Sequence, residues 1–295
     1  MKLVATMPAR NESWIIGLSA RVALMWCDEL IILEHCCADK TDEILCQVAA
    51  EHPGRVGILR EDNPLWREMA HRQRLLEAAR DRKATHIAIV DADEVLTANL
   101  LPGIREAVSH LPPGRYLMTR MLAMWRGVEQ YRDDKSIWSN RRDLVLAFAD
   151  GPRLCWMAKG GYDHHCRAPI ESTRGCFWGS GGGVMHLEFA DWPRLVAKHA
   201  HYKMTERVRW PERPVAEVEW QYNQAVNETN IACTHAPLSW WEPYQHLLPY
   251  LHPGETPWQA EEARRLYAEH GPEKFAGLNL FGLIEGKEVE TCPAH

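Results

Sequence analysis

The first 110 residues alternate short apolar runs with amphipathic stretches, and this alternation restricts the fold more than any other feature of the chain. Leu3–Met7, Glu29–Leu33, Val56–Leu59 and Thr85–Val90 read as strands. Their continuous aliphatic character suits strands buried on both faces of a parallel sheet. The segments between them read as helices. The first runs from Asn11 or Ser13 to about Trp26, with Ile15, Leu18, Val22 and Met25 inward. The second opens at Thr41, the third covers Pro64–Arg80, and the fourth covers Leu100–Ser109. Strand and helix in strict turn predict a parallel sheet with right-handed crossovers. After Gly114 the pattern changes. Arg115–Met124 and Asp143–Ala149 read as antiparallel strands, Gly151–Gly183 as loop, and His186–Phe189 as a last strand. Helices are expected over Asp191–Trp210, capped by Asp191, then Val215–Val226 and Gln259–His270. In that first long helix Lys203 reads as part of a solvated basic face.

The strand Thr85–Val90 ends in Asp91-Ala92-Asp93-Glu94. In open α/β sheets ligands bind outside the carboxyl ends of the strands. Hard divalent cations take oxygen ligands, often shared with substrate phosphates. The competing reading is that these acids cap a following helix. Glu94 reads as a helix-start or hydrogen-bonding residue rather than a third ligand. Neither a glycine-rich dinucleotide fingerprint nor a GxxxxGK[ST] phosphate loop is present. A formal charge of −6 argues against nucleic-acid binding by the whole surface. No apolar run reaches the length of a membrane span, and the stretch after Lys2 is too short for a secretory signal. A cytoplasmic location, with the nine cysteines mostly as thiols, is the expectation.

Four separated stretches resemble a single pattern. MPARNE follows the first strand. DELIILEHCCADKT aligns without a gap to the family-2 glycosyltransferase stretch DEIVVVDNGSTDGT. EMAHRQRLLEAA is similar to the helix that carries an arginine just before an asparagine, and VDADEVLT to the aspartate-any-aspartate segment. The chain thus resembles a small family-2 glycosyltransferase of the A-type fold over its first 110 residues, and again over His186–Tyr202. The resemblance implies a mostly parallel nucleotide-binding sheet flanked by helices, with an antiparallel extension and a helical C-terminal appendage. It implies a catalytic domain over residues 1–210, with a donor half 1–110 and an acceptor half 111–210, and a helical extension over 211–295.

Carried over residue by residue, the resemblance implies that Pro8, Arg10 and Glu12 line the donor nucleotide, with Glu34 in place of the usual base-contacting aspartate. Cys36-Cys37 replace the usual Gly-Ser. Arg72 matches the helix arginine, and Gln73 stands where asparagine is usual. Asp91 and Asp93 would hold Mn²⁺ or Mg²⁺ against the donor diphosphate, with His186 completing the metal shell or serving as a core histidine, and Lys198 near the phosphates. An inverting transfer needs a carboxylate base downstream; Asp163, Glu171, Glu188 and Asp191 are available, with Glu171 and then Asp163 favoured.

The expected reaction moves a sugar from a nucleoside-diphosphate donor, UDP-linked by expectation, to a hydroxyl acceptor such as a glycan or a small molecule. An alternative acceptor is a hydroxylated base in DNA. Trp125, Tyr131, Trp138, Trp156, Tyr162, Phe177 and Trp178 are interleaved with Arg120, Arg126, Arg132, Arg141 and Arg142, a mixture suited to stacking on bases or sugars. The simpler reading makes those tryptophans core. Two further classes are a nucleotidyltransferase and an inactive sugar-nucleotide binding module. Cys155, His164, His165, Cys166 and Cys176 form a candidate zinc cluster without CxxC spacing.

Overall fold

The computed structural model describes residues 1–134, 144–156, 167–254 and 257–285. The expected alternation appears as β1 (Leu3–Ala9), α1 (Ile16–Trp26), β2 (Glu29–His35), α2 (Thr41–Glu51), β3 (Val56–Glu61), α3 (Glu68–Asp81) and β4 (His86–Ile89). Next come β5 (Glu94–Leu96), α4 (Leu101–Ser109), β6 (Arg115–Thr119), β7 (Met121–Ala123), β8 (Gln130–Arg132) and β9 (Leu144–Ala149). β10 (Thr173–Phe177), β11 (Val184–His186), α5 (Trp192–Arg209), α6 (Val215–Val226), β12 (Cys233–His235) and α7 (Trp258–His270) complete the list.

Among the described residues, seven strands form one sheet in the order β10-β6-β9-β4-β1-β2-β3. β3, β2, β1 and β4 run parallel. β9 joins β4 antiparallel, β6 joins β9 antiparallel, and β10 lies parallel to β6. Period-two alternation divides the core. Leu3, Ala5 and Met7 of β1 face a layer with Ile16, Ala20, Leu45, Val48, Ile104 and Val108, so α1, α2 and α4 cover that side. Val4 of β1, with Ile31 and Leu33 of β2, faces Met69, Leu75, Leu76 and Ala79 of α3 on the other. The α/β architecture with a mostly parallel sheet, an antiparallel extension and C-terminal helices is as expected.

The described residues gather into two compact units. The first takes its residues from 1–122, 141–186 and 236–252, and the second from 123–140, 187–235 and 253–295. In the second unit, Ala197, Ala200 and Met204 of α5 pack on Ala260, Ala263 and Leu266 of α7. α5 also packs on α6, and its Leu195 packs with Ala123, Trp125 and Phe189.

Local chemistry explains where the elements depart from expectation. α3 begins at Glu68, not Pro64. Glu61 accepts from the Asn63 N–H and Asn63 from the Leu65 N–H, and these side-chain bonds hold the backbone in a turn. α1 is buried on nearly every face, yet the expected core residue Met25 is 45% exposed. Arg21 of the same helix is buried instead, paired through both forks with Glu51 and stacked on Tyr250. At the start of α2 the Thr41 side chain accepts from the Glu12 N–H, while Asp39 accepts from the Thr41 N–H. The predicted loop 151–183 contains the edge strand β10, whose residues are all exposed. His186 ends β11, and a short 3₁₀ turn, not a strand, follows it at Leu187–Ala190. Lys203 is fully buried against Glu219, Asn223 and the carbonyl of Asn279, so it belongs to no solvated face.

Candidate functional site

The carboxyl ends of β1, β2 and β4 carry the expected loops, and the first two are tied together. β1 and β2 are in register to their ends, with Ala9 opposite Glu34. Asn11 accepts from the Ala38 N–H at 2.7 Å, and Asp39 accepts from the Ser13 N–H at 3.0 Å. Asn11 takes a φ of +54° and Cys36 a φ of +48°, both in the left-handed region. Cys36 stands where the resembling pattern has glycine, so the loop keeps a glycine-like backbone path without a glycine. Its N–H and thiol both bond to the Glu61 carbonyl, which anchors that path.

Pro8 is buried at the end of β1. Arg10 donates to the Pro64 carbonyl at 3.3 Å, and Glu12 accepts from the Trp14 indole at 2.7 Å. Glu34 is buried and accepts from the Cys37 N–H at 2.6 Å. The Cys37 thiol is pushed up to about 12, first by burial and then by the carboxylate of Glu34, so it is neutral near pH 7. Beside this loop, His35, Trp66 and His71 form a ring cluster with centroids 4.8–5.1 Å apart. Burial, then the neighbouring His35, lowers His71 to about 4.

Beyond β4 the acidic turn is stitched to itself. The Asp91 N–H donates to Glu94 at 3.0 Å, and the Glu94 N–H returns to the Asp91 carbonyl at 3.0 Å. No α-helix starts here: Glu94 opens β5, so helix capping does not explain the acids. Asp91 meets Arg72 of α3 at 3.2 Å and Arg167 at 2.9 Å. Burial would raise its pKa, but the two guanidiniums outweigh it and hold the carboxyl below the usual range. Gln73, beside Arg72, accepts from the Trp156 N–H at 2.8 Å.

Asp93 points elsewhere. Its Oδ2 lies 3.3 Å from Nε2 of His186, and both side chains are largely buried. β11 brings that histidine in by pairing antiparallel with β5, with His186 opposite Glu94. The approach depends on two glycines. A Cβ on Gly183 would lie 2.2 Å from the Arg120 carbonyl oxygen, and one on Gly182 would lie 2.4 Å from Thr97 Oγ1. Gly182 and Gly183 are therefore close-packing positions rather than slack loop. A carboxylate oxygen and an imidazole nitrogen converging at this distance form a chemically suitable pair for a divalent transition ion.

Glu171 sits on an exposed turn with φ +65° and faces Arg153 at 3.4 Å. Lys198 belongs to the second unit, where it meets Glu188 at 3.2 Å. Asp163 lies outside the described residues, as do Trp138, Arg141, Arg142, Tyr162, His164, His165 and Cys166. Cys155 and Cys176 are free thiols. Of the expected aromatic surface, Trp125, Tyr131 and Trp156 are buried. Arg132 stacks over Trp125 and Arg126 over Trp192, so these side chains partner one another. Among the described residues at the turn, Arg167 is the one that sequence reasoning missed. It lies 73 positions from Glu94, in a loop with no pattern around it.

Among the described residues no helix is long and apolar enough to cross a membrane. No family model and no curated protein matches the chain. Among solved structures, S. aureus TarS 1-349 is similar with a TM-score of 0.43 and 10% identity, over 96% of this chain and 83% of that one. The same fragment in complex with UDP aligns at 0.35 and 13% identity, over 41% of this chain, and the chain spans only 36% of its length. The mannosyltransferase PcManGT from Pyrobaculum calidifontis, in complex with GDP-Man and Mn²⁺, aligns at 0.41 and 14% identity, over 92% and 76%. At such scores the residues at the strand ends, not the likenesses, carry the functional reading.

Proposed function

We propose that the chain is a metal-dependent glycosyltransferase that moves a sugar from a nucleoside-diphosphate donor to a hydroxyl acceptor with inversion. The observation that supports this best is the approach of Asp93 to His186 at 3.3 Å, at the carboxyl end of a parallel sheet. These two side chains would hold Mn²⁺ or Mg²⁺. A bound divalent ion supplies positive charge against the diphosphate leaving group. The interlocked loops at Pro8–Glu12 and Glu34–Thr41 offer a wall of backbone and buried polar groups for a nucleoside, with UDP as the expected one. Arg10, Glu12 and Glu34 are its proposed contacts, and Lys198 a proposed phosphate contact.

Glu171, or Asp163, is the proposed base that takes the acceptor hydroxyl's proton as the oxygen attacks the anomeric carbon. Glu171→Gln is then expected to keep donor affinity and lose transfer, and transfer at the unaltered rate would move the base elsewhere. The acceptor is proposed to be a glycan or small molecule, and the site of action the cytoplasm. The mutual stacking of arginines and tryptophans favours that acceptor class over a DNA base, because those side chains are already engaged. Product analysis separates the enzyme classes. Release of a nucleoside diphosphate supports sugar transfer, and release of pyrophosphate from a nucleoside triphosphate makes the chain a nucleotidyltransferase. Donor binding without turnover over a broad acceptor panel makes it a binding module.

A further inference from the structure

Arg167 divides its whole donor set between the acidic turn and two strand carbonyls. Nε donates to the Val145 carbonyl at 2.8 Å, and Nη1 to Asp91 Oδ2 at 2.9 Å and Glu94 Oε1 at 2.6 Å. Nη2 donates to the Ile89 carbonyl at 2.7 Å and to Glu94 Oε2. A guanidinium has five N–H donors, and all five are accounted for. The same contacts consume the acids. Both oxygens of Glu94 are taken by the fork, and the second one also accepts the Asp91 N–H. The two oxygens of Asp91 go to Arg72 and Arg167. Arg167 also bonds carbonyls of β4 and of β9, so it is held from two strands and is not a loosely placed surface cation. Three carboxylates within four residues would otherwise repel one another in a largely buried turn. The guanidinium offsets that repulsion.

We propose that Arg167 is a built-in counter-cation that reserves Asp91 and Glu94 for itself and leaves Asp93, with His186, to bind the divalent ion. Arg167 is thus a positioning residue: it decides which carboxylate the metal meets. This rests on the metal-dependent reading above. It has a consequence that a mere fold prop would not have. An arginine and a metal ion that compete for the same carboxylates work against each other, so losing the arginine strengthens metal binding. A prop, when lost, weakens or spares it.

The test measures binding of Mn²⁺ alone, read as loss of the free-ion electron paramagnetic resonance signal, with no donor and no turnover. In the otherwise unaltered chain, Asp93→Asn is expected to weaken Mn²⁺ binding by more than about tenfold, and Asp91→Asn to change it by less than about twofold. Arg167→Met is expected to tighten it by about tenfold, and in that background Asp91→Asn is expected to reverse the gain. Weaker binding in Asp91→Asn alone, with Asp93→Asn also weakened, overturns the role of Arg167 and leaves the metal-dependent reading standing. Unaltered or weaker binding in a folded Arg167→Met variant overturns it likewise. If the unaltered chain binds no Mn²⁺, or Asp93→Asn binds as well as it does, the metal-dependent reading itself fails. Should Arg167→Met not fold, Asp91→Asn and Asp93→Asn still decide the question.

Discussion

Replacing Glu94 by Gln separates a buried ion pair from an exposed one in the same chain. The Glu94 side chain is 4% exposed and that of Arg167 is 14% exposed. The amide would keep one acceptor oxygen but turn N–H donors toward a guanidinium that is itself only a donor. Breaking a buried pair from one side costs roughly 3–5 kcal/mol, because a charge is left without its partner. Arg167 keeps Asp91 and two carbonyls. The expected loss is therefore at the low end, about 3 kcal/mol. The control is Glu262→Gln. Arg265 likewise meets two carboxylates, Glu262 and Glu269, but the arginine side chain is 57% exposed. Carboxylates push the pKa of both guanidiniums upward. Water screens the exposed cluster, so the control is expected to lose less than about 1 kcal/mol. Urea unfolding at pH 7, fitted with a common slope, reads both. A Glu94→Gln loss no larger than that of Glu262→Gln would refute the claim that the turn is a desolvated ion lattice.

Two further outcomes are expected. His71 titrates near 4 in the folded chain against 6.5 when unperturbed, so the unfolded chain binds the proton that the folded chain refuses. That contribution is complete above pH 6.5 and is lost as pH falls towards 4; at pH 5.5 the loss amounts to about 1.4 kcal/mol. His71→Phe is expected to flatten the stability profile between pH 7 and 5.5 by about that amount, and an unchanged slope in urea melts contradicts it. Gly183→Ala must push β11 away from the Arg120 carbonyl, costing about 1–3 kcal/mol and moving His186 off Asp93. Wild-type Tm together with wild-type Mn²⁺ binding in that variant would show that the close approach is not required.

The parallel half of the sheet was legible because burial on both faces writes itself as unbroken aliphatic runs, as in ELIIL and HIAIV. β10 was not, because Thr173–Phe177 lies exposed at the sheet edge and needs no apolar pattern. Met25 misled because α1 is covered on almost every side, so its most exposed position does not stand out by residue type. At the site, an acidic turn after a strand announced itself, and His186 was placed by resemblance. Arg167 had no local signal: its partners come from β4, the turn and β9, and only the folded chain assembles them. The same holds for Arg126 and Arg132, whose cation–π partners make them part of the second unit's packing. Lys203 looked like a surface residue because no spacing in α5 reveals that Glu219 lies against it.

The most direct test of the account is calorimetric titration of UDP into the unaltered chain and into Asp93→Asn, each with and without Mn²⁺. The account predicts that Mn²⁺ tightens UDP binding to the unaltered chain by at least about tenfold, and that this gain disappears in Asp93→Asn. Equal affinity with and without Mn²⁺, or a gain that survives in Asp93→Asn, would contradict it.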